Sequence, residues 1–199
     1  LLKGNSIISY NLYITNGIGD GIVLNENART SIPSGKSLEM FEEDNNGIPM
    51  LNGRISYTLR SKGEVGISYY GGTYNSFQIE GETIDKKRNL NITGIDFCTN
   101  FNKFETQGEF VIARIDVPEN LKELYGEYQI GGFLDLIYPI MSRPILNYEK
   151  AQILLSFRGE YVDYNYGKMT SLNKNIGDEV RGIGIGLSFR PTPSTVFKV

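Results

Sequence analysis

The side chains here that could do chemistry are charged or amide groups at every second position of short runs. Arg54 and Ser56 stand two apart, as do Glu105, Gln107 and Glu109, and Arg158 and Glu160; Glu64, Asp96, Gln129, Asp135 and Lys198 sit in similar runs. A spacing of two places such groups on one face of a β-strand. Opposed rows of Arg and carboxylate on that face would set up a transverse field that orders water and screens solutes by their dipoles. Alternatively, the same groups pair with one another across a sheet and fill a closed interior.

Catalysis finds little support. The 199 residues include no His and no Trp. The usual general base at neutral pH and the commonest metal ligand are therefore missing. The single cysteine, Cys98, rules out an internal disulfide framework and a multi-cysteine zinc cluster. Glu109 and Glu160 have the chemistry of a glycosidase pair, but nothing in the sequence brings them together. Glu42-Glu43-Asp44 could attract a divalent cation, yet the following Asn-Asn-Gly lacks the rest of a calcium loop, and a solvated loop is the plainer reading. Gly182-Ile183-Gly184-Ile185-Gly186 has the wrong spacing for a dinucleotide fingerprint and precedes no helix. No catalytic residue, metal site or cofactor is assigned.

The elements that would position the polar row are strands. From Gly53 to Arg60, Ile55, Tyr57 and Leu59 share one face, with Arg54, Ser56 and Thr58 on the other. After the turn Ser61-Lys62-Gly63, Val65, Ile67 and Tyr69 alternate with Glu64, Gly66 and Ser68. The same pattern recurs over Ile8–Ile14, Leu90–Ala113 as a hairpin, Leu124–Tyr138, Ala151–Val162, Val180–Arg190 and Thr195–Val199. Its apolar set includes Phe110, Leu134, Phe157, Ile185 and Leu187. Leu90 and Ile92 fall out of phase, which a bulge at Gly94 would repair. Ser37–Glu43 and the residues after Pro118 could form helical turns.

Several runs approach ten residues, against a usual mode of five or six, and a tilted strand crossing a bilayer needs roughly 9–11. Connections alternate between long (Asn16–Pro49, Gly72–Asn89, Arg114–Glu123, Asp163–Glu179) and shorter ones, the pattern of an up-and-down membrane barrel. Thirteen Tyr, ten Phe and twenty-three Gly suit an all-β chain. The net charge of −3 argues against nucleic acid as a partner. No run of about 18 apolar residues is present, so no transmembrane helix is expected. Rings near the ends of the apolar runs, among them Tyr69, Phe104, Tyr138, Tyr161 and Phe189, suit interfacial girdles.

Five segments in order, NLYITNGIGDGI, LNGRISYTLRSKGEVGISYYGGTY, GIDF with KFETQGEFV, LLSFRGEYVDYN and GLSFRPTPSTVFKV, resemble the strand pairs of Gram-negative outer-membrane porins. The nearest group is that of the phosphate-selective porins and related porin-like proteins. The resemblance implies a transmembrane outer-membrane β-barrel that passes small hydrophilic solutes or ions, with outer-membrane lipid as its surroundings, and it allows a homotrimer. In that family further strands and a terminal aromatic residue would follow Val199. Phosphate selectivity would need a basic ladder, whereas the polar face here mixes Arg54, Arg158 and Lys198 with six carboxylates.

The expectation is therefore an all-β, antiparallel meander of about nine strands. Residues 1–199 would form a single domain truncated at both ends, since no initiator Met or signal peptide precedes Leu1 and Val199 falls within a strand. Arg54, Ser56, Glu64, Asp96, Glu105, Gln107, Glu109, Gln129, Asp135, Arg158, Glu160 and Lys198 would line a lumen. Ile55, Tyr57, Leu59, Ile67, Phe110, Leu134, Phe157, Ile185 and Leu187 would face lipid. A soluble β-barrel or sandwich that binds a ligand, with its apolar face inward, and a non-conducting membrane barrel for adhesion or assembly are the competing readings.

Overall fold

The computed structural model describes residues 2–36, 46–169, 171 and 173–198. Nine strands follow one another: β1 (Ser6–Thr15), β2 (Met50–Leu59), β3 (Gly63–Thr73), β4 (Asn89–Phe101), β5 (Phe104–Ile115), β6 (Tyr128–Ser142), β7 (Gln152–Asp163), β8 (Glu179–Thr192) and β9 (Thr195–Lys198). Each pairs antiparallel with its chain neighbours in one sheet, and Leu2–Lys3 adds two residues outside β1. The sheet is not closed, and β1 with Leu2–Lys3 and β9 form its two edges. A separate two-stranded ribbon, Gln78–Ile79 with Glu82–Thr83, lies in the connection after β3.

The connections alternate. Tight turns join β2 to β3, β4 to β5 and β8 to β9, and residues 143–151 join β6 to β7. Longer segments follow β1, β3, β5 and β7, so they share one rim. Turn chemistry explains the tight ones. Ser61 and Asn102 take positive φ, 66° and 54°. At Gly63 a Cβ would stand 2.2 Å from the Cys98 carbonyl oxygen, so the β2–β3 reversal needs glycine there.

Register places the two residue sets on opposite faces. Ile55 pairs with Ile67 and Ile67 with Ile95, which in turn pairs with Phe110. One residue away, Ser56 pairs with Gly66, Gly66 with Asp96 and Asp96 with Glu109. The apolar set stands open at Ile55, Ile67, Phe110, Phe157, Ile183, Ile185 and Leu187, Ile183 at 89%, and on the polar face Gln107, Glu109, Arg158 and Glu160 are exposed as well. The other face holds buried Ser56, Asp135, Leu154 and Ser188.

Four expectations change. The pairing of β4 runs unbroken through Gly94, without a bulge. Leu90 and Ile92 therefore sit on the polar face's side of the sheet, and Leu90 is fully buried in a cluster with Ile18, Ile22, Val23, Met50, Tyr74, Ile115 and Val117. The phase change marks where that face turns apolar near the long-loop rim. Secondly, β6 starts at Tyr128 rather than Leu124. Leu124 is 62% exposed in the preceding connection, where Glu119–Leu121 forms a single 3-10 turn after Pro118. Thirdly, β6 continues through Pro139 to Ser142. Pro139 lies at a register shift, the position in a ladder that tolerates a missing N–H. Fourthly, β8 extends to Thr192, so the turn into β9 is Pro193-Ser194. The Ser37–Glu43 turn, the Glu42-Glu43-Asp44 patch and Val199 lie outside the described residues.

Candidate functional site

The candidate site is the polar face of the sheet. Arg54, Ser56, Glu64, Asp96, Glu105, Gln107, Glu109, Gln129, Asp135, Arg158, Glu160 and Lys198 all fall on it by register. Ile55, Tyr57, Leu59, Ile67, Phe110, Leu134, Phe157, Ile185 and Leu187 fall on the other.

Most charges on this face are engaged with one another. Arg54 on β2 reaches Glu64 on β3 at 2.7 Å and, through Nε, Asp96 on β4 at 3.1 Å. To do so its guanidinium lies over β3 at Gly66, where a Cβ would come within 2.4 Å of Nη2. Thr58 donates to the second oxygen of Glu64 at 2.6 Å. Further round, Arg158 on β7 holds Asp135 on β6 through two hydrogen bonds of 2.7 Å, and Gln107 on β5 donates to the same carboxylate at 2.8 Å. The Arg158 guanidinium also stacks 4.4 Å from the Phe133 ring centroid. Arg190 on β8 pairs with Glu105 on β5 at 2.6 and 2.9 Å. Such two-pronged pairs fix direction as well as charge.

Along the described strands this face carries Arg54, Arg158, Arg190 and Lys198 against Glu64, Asp96, Glu105, Glu109, Asp135 and Glu160, a net −2. Glu109 and Glu160 flank Phe133 in register on neighbouring strands, and neither has an ion pair among the described residues. No group of three metal-ligating side chains occurs among the described residues.

The long-loop rim differs in chemistry. Residues 16–36 fold back across this face instead of standing away from it. Ile18, Ile22 and Val23 pack against Met50, Leu90, Ile115 and Val117, with Tyr70 and Ile92 at the border. The approach is close: Gly17 (φ 85°) and Gly72 (φ 157°) each leave a Cβ position within 2.8 Å of the Met50 side chain. The segment is tied down polarly as well. Ser76 N–H donates to both Asp20 oxygens, at 3.1 and 3.0 Å, and Gln129 donates to the Thr30 carbonyl at 2.9 Å. Arg29 lies 4.6 Å from the Tyr164 ring centroid, in the connection after β7. The segment thus reaches from the start of β2 to the end of β7. Its neighbour Tyr74, whose hydroxyl donates to the Asp116 carbonyl at 2.7 Å, is buried there, and burial pushes its phenol well above the ordinary range.

Rings collect at the opposite rim on the apolar face. Phe104 and Tyr138 lie 5.0 Å apart by centroid, and Phe189 contacts both Tyr148 and Phe197 at 6.5 Å. Tyr69 and Tyr161 stand toward the long-loop end of their strands.

Sequence reasoning missed Arg190. Its parity matches the glycines of β8, which place it on the polar face, but the expected strand ended at that residue. It also missed that the polar face holds Phe133, Ile137 and Leu154, apolar residues that interrupt the alternation of β6 and β7. The chain matches no family model, no curated protein and no solved structure.

Proposed function

We propose that this chain forms part of the wall of an outer-membrane β-barrel through whose lumen small hydrophilic solutes or ions diffuse passively. The observation that carries this reading is the exposure of the apolar face. Ile55, Ile67, Phe110, Phe157 and Ile185 stand open along the middle of five strands, while the mid-strand charges lie on the opposite face; Arg114 and Arg181 share the apolar face only toward the long-loop rim. A soluble barrel would turn these same side chains inward. In lipid they replace water with hydrocarbon at no cost, whereas an Arg there would cost about 2–4 kcal/mol. Spanning a bilayer also requires every strand edge to be paired, so the edges at β1 and β9 call for further strands under this reading. The mixed, internally paired charges favour weak ionic preference over a phosphate path.

A second reading has its own observation. The segment 16–36 covers one mouth with an apolar cluster, and most of the charges on the polar face are paired with one another, as suits a closed barrel for adhesion or assembly. Conductance of the complete parent protein in a planar bilayer decides between them. Discrete steps support diffusion, with the reversal potential across a salt gradient reporting ionic preference. Silence from folded, inserted protein supports the closed barrel, and failure to insert sinks both.

A further inference from the structure

The pair Glu105–Arg190 joins strands that are not neighbours: β6 and β7 lie between β5 and β8. Glu105 stands level with Ile137, Ile137 with Ser156 and Ser156 with Gly186. Arg190 is thus three strands over and four residues along. On a flat sheet the two Cα atoms would be ~20 Å apart, from a strand spacing of about 4.8 Å and a rise of about 3.3 Å per residue. Two fully extended side chains and one hydrogen bond span only ~14 Å. The pair is nevertheless closed at 2.6 and 2.9 Å, so β5–β8 curl toward their polar face and the two side chains run as a chord across the hollow. A cavity of about 500 Å³ lies against the pair on the same face, lined also by Ile137, Leu154, Ser156 and Ser188. Because both oxygens and both terminal nitrogens are engaged, the chord has one geometry rather than several.

Resting on the diffusion reading, we infer that Glu105–Arg190 is a rigid strut that sets the lumen's cross-section toward the short-turn rim, and with it the size of solute admitted. It acts by shape: it holds four strands at one curvature. The opposed charges cancel, so its removal affects size more than ionic preference.

The test is polymer exclusion by the complete parent protein in planar bilayers, with neutral polyethylene glycols of increasing length. Arg190→Ala and Glu105→Ala each shift the exclusion cut-off to longer polymers, and the exchange E105R/R190E brings it back toward the original value. A cut-off unchanged in both single variants overturns the strut, even where conductance is normal. If the unaltered protein inserts but passes no current, the diffusion reading fails and the strut is judged by distance instead. Nitroxides at Thr106→Cys and Leu187→Cys, on the apolar face of β5 and β8 in a Cys98→Ser background, report the spread of the two strands. Arg190→Ala lengthens or broadens that distance distribution if the strut holds the curl; an unchanged distribution overturns it.

Discussion

Ile185→Arg tests the assignment of faces most directly. Ile185 is the seventh of the fourteen residues of β8, is 70% exposed, and pairs with Phe157, itself on the apolar face. Fourteen residues rising ~3.3 Å each and tilted by about 40° stand ~35 Å tall, which exceeds an apolar band of about 25 Å and, in the proposed membrane barrel, puts Ile185 near its midplane. The full depth-dependent penalty therefore applies, about 2–4 kcal/mol. That lowers the ratio of folded to unfolded protein by about 30- to 800-fold. The control lies one residue away. Gly184 faces the other side opposite Arg158, and a Cβ there would sit 3.6 Å from that of Arg158, an ordinary contact. Gly184→Glu gains Arg158 as a neighbour, an exposed pair worth up to about 1 kcal/mol. The assay is urea-titrated folding of the complete parent protein into lipid vesicles, with the heat-shifted gel band as the folded fraction. Ile185→Arg should lose several-fold or more of its folded fraction at urea concentrations where Gly184→Glu behaves like the original. The reverse order would mean that the faces are exchanged, and equal behaviour would mean that neither face meets lipid.

Three further outcomes follow from particular contacts. Arg54→Ala leaves Glu64 and Asp96 without their shared cation, so assembly survives and the reversal potential across a salt gradient shifts toward cations; a shift toward anions contradicts the lumen assignment. Ile22 is fully buried in the rim cluster, so Ile22→Ala should weaken the docking of residues 16–36 by about 2–5 kcal/mol. Faster protease nicking of that segment in otherwise assembled protein checks it, and an unchanged nicking rate would show that the cluster does not hold the segment down. In the connection before β8, burial, reinforced by the Asp163 carboxylate, raises the Asp178 carboxyl above its ordinary 3.8. The folded connection therefore favours the protonated acid. Its stability is complete below the ordinary value and is lost as pH rises through the raised one. Amide exchange across 164–178, corrected for its intrinsic pH dependence, should show more protection near about pH 4 than near about pH 7. Asp178→Asn should flatten that difference, and greater protection at neutral pH would refute the sign.

Much of the sheet was legible in residue order. Strict alternation in GRISYTLR and GEVGISYY places Arg54 and Ile55 on opposite faces of any strand they form, since the pleat has a period of two. Gly, Ser and Asn at 61–63 and 100–103 gave the reversals because positive φ is cheap there. These local rules correctly anticipate nine strands, their order and the alternation of short and long connections. They fail where contacts between distant residues decide. Leu90 and Ile92 looked like a register error because their burial depends on Ile22 and Val23, some seventy residues earlier, folding over them. Leu124 looked like a strand residue, but pairing to β5 begins only at Tyr128 opposite Arg114.

By itself, then, the amino-acid order determined which side chains share a face and where the chain turns, because both depend on neighbours one to four residues apart. It could not say which charges make contacts across intervening strands. Those required the sheet to curl. Only curvature brings Arg190 to Glu105 across two intervening strands. Curvature is a sum of small twists and of long-range pairings over the whole sheet, and no short stretch of sequence contains it.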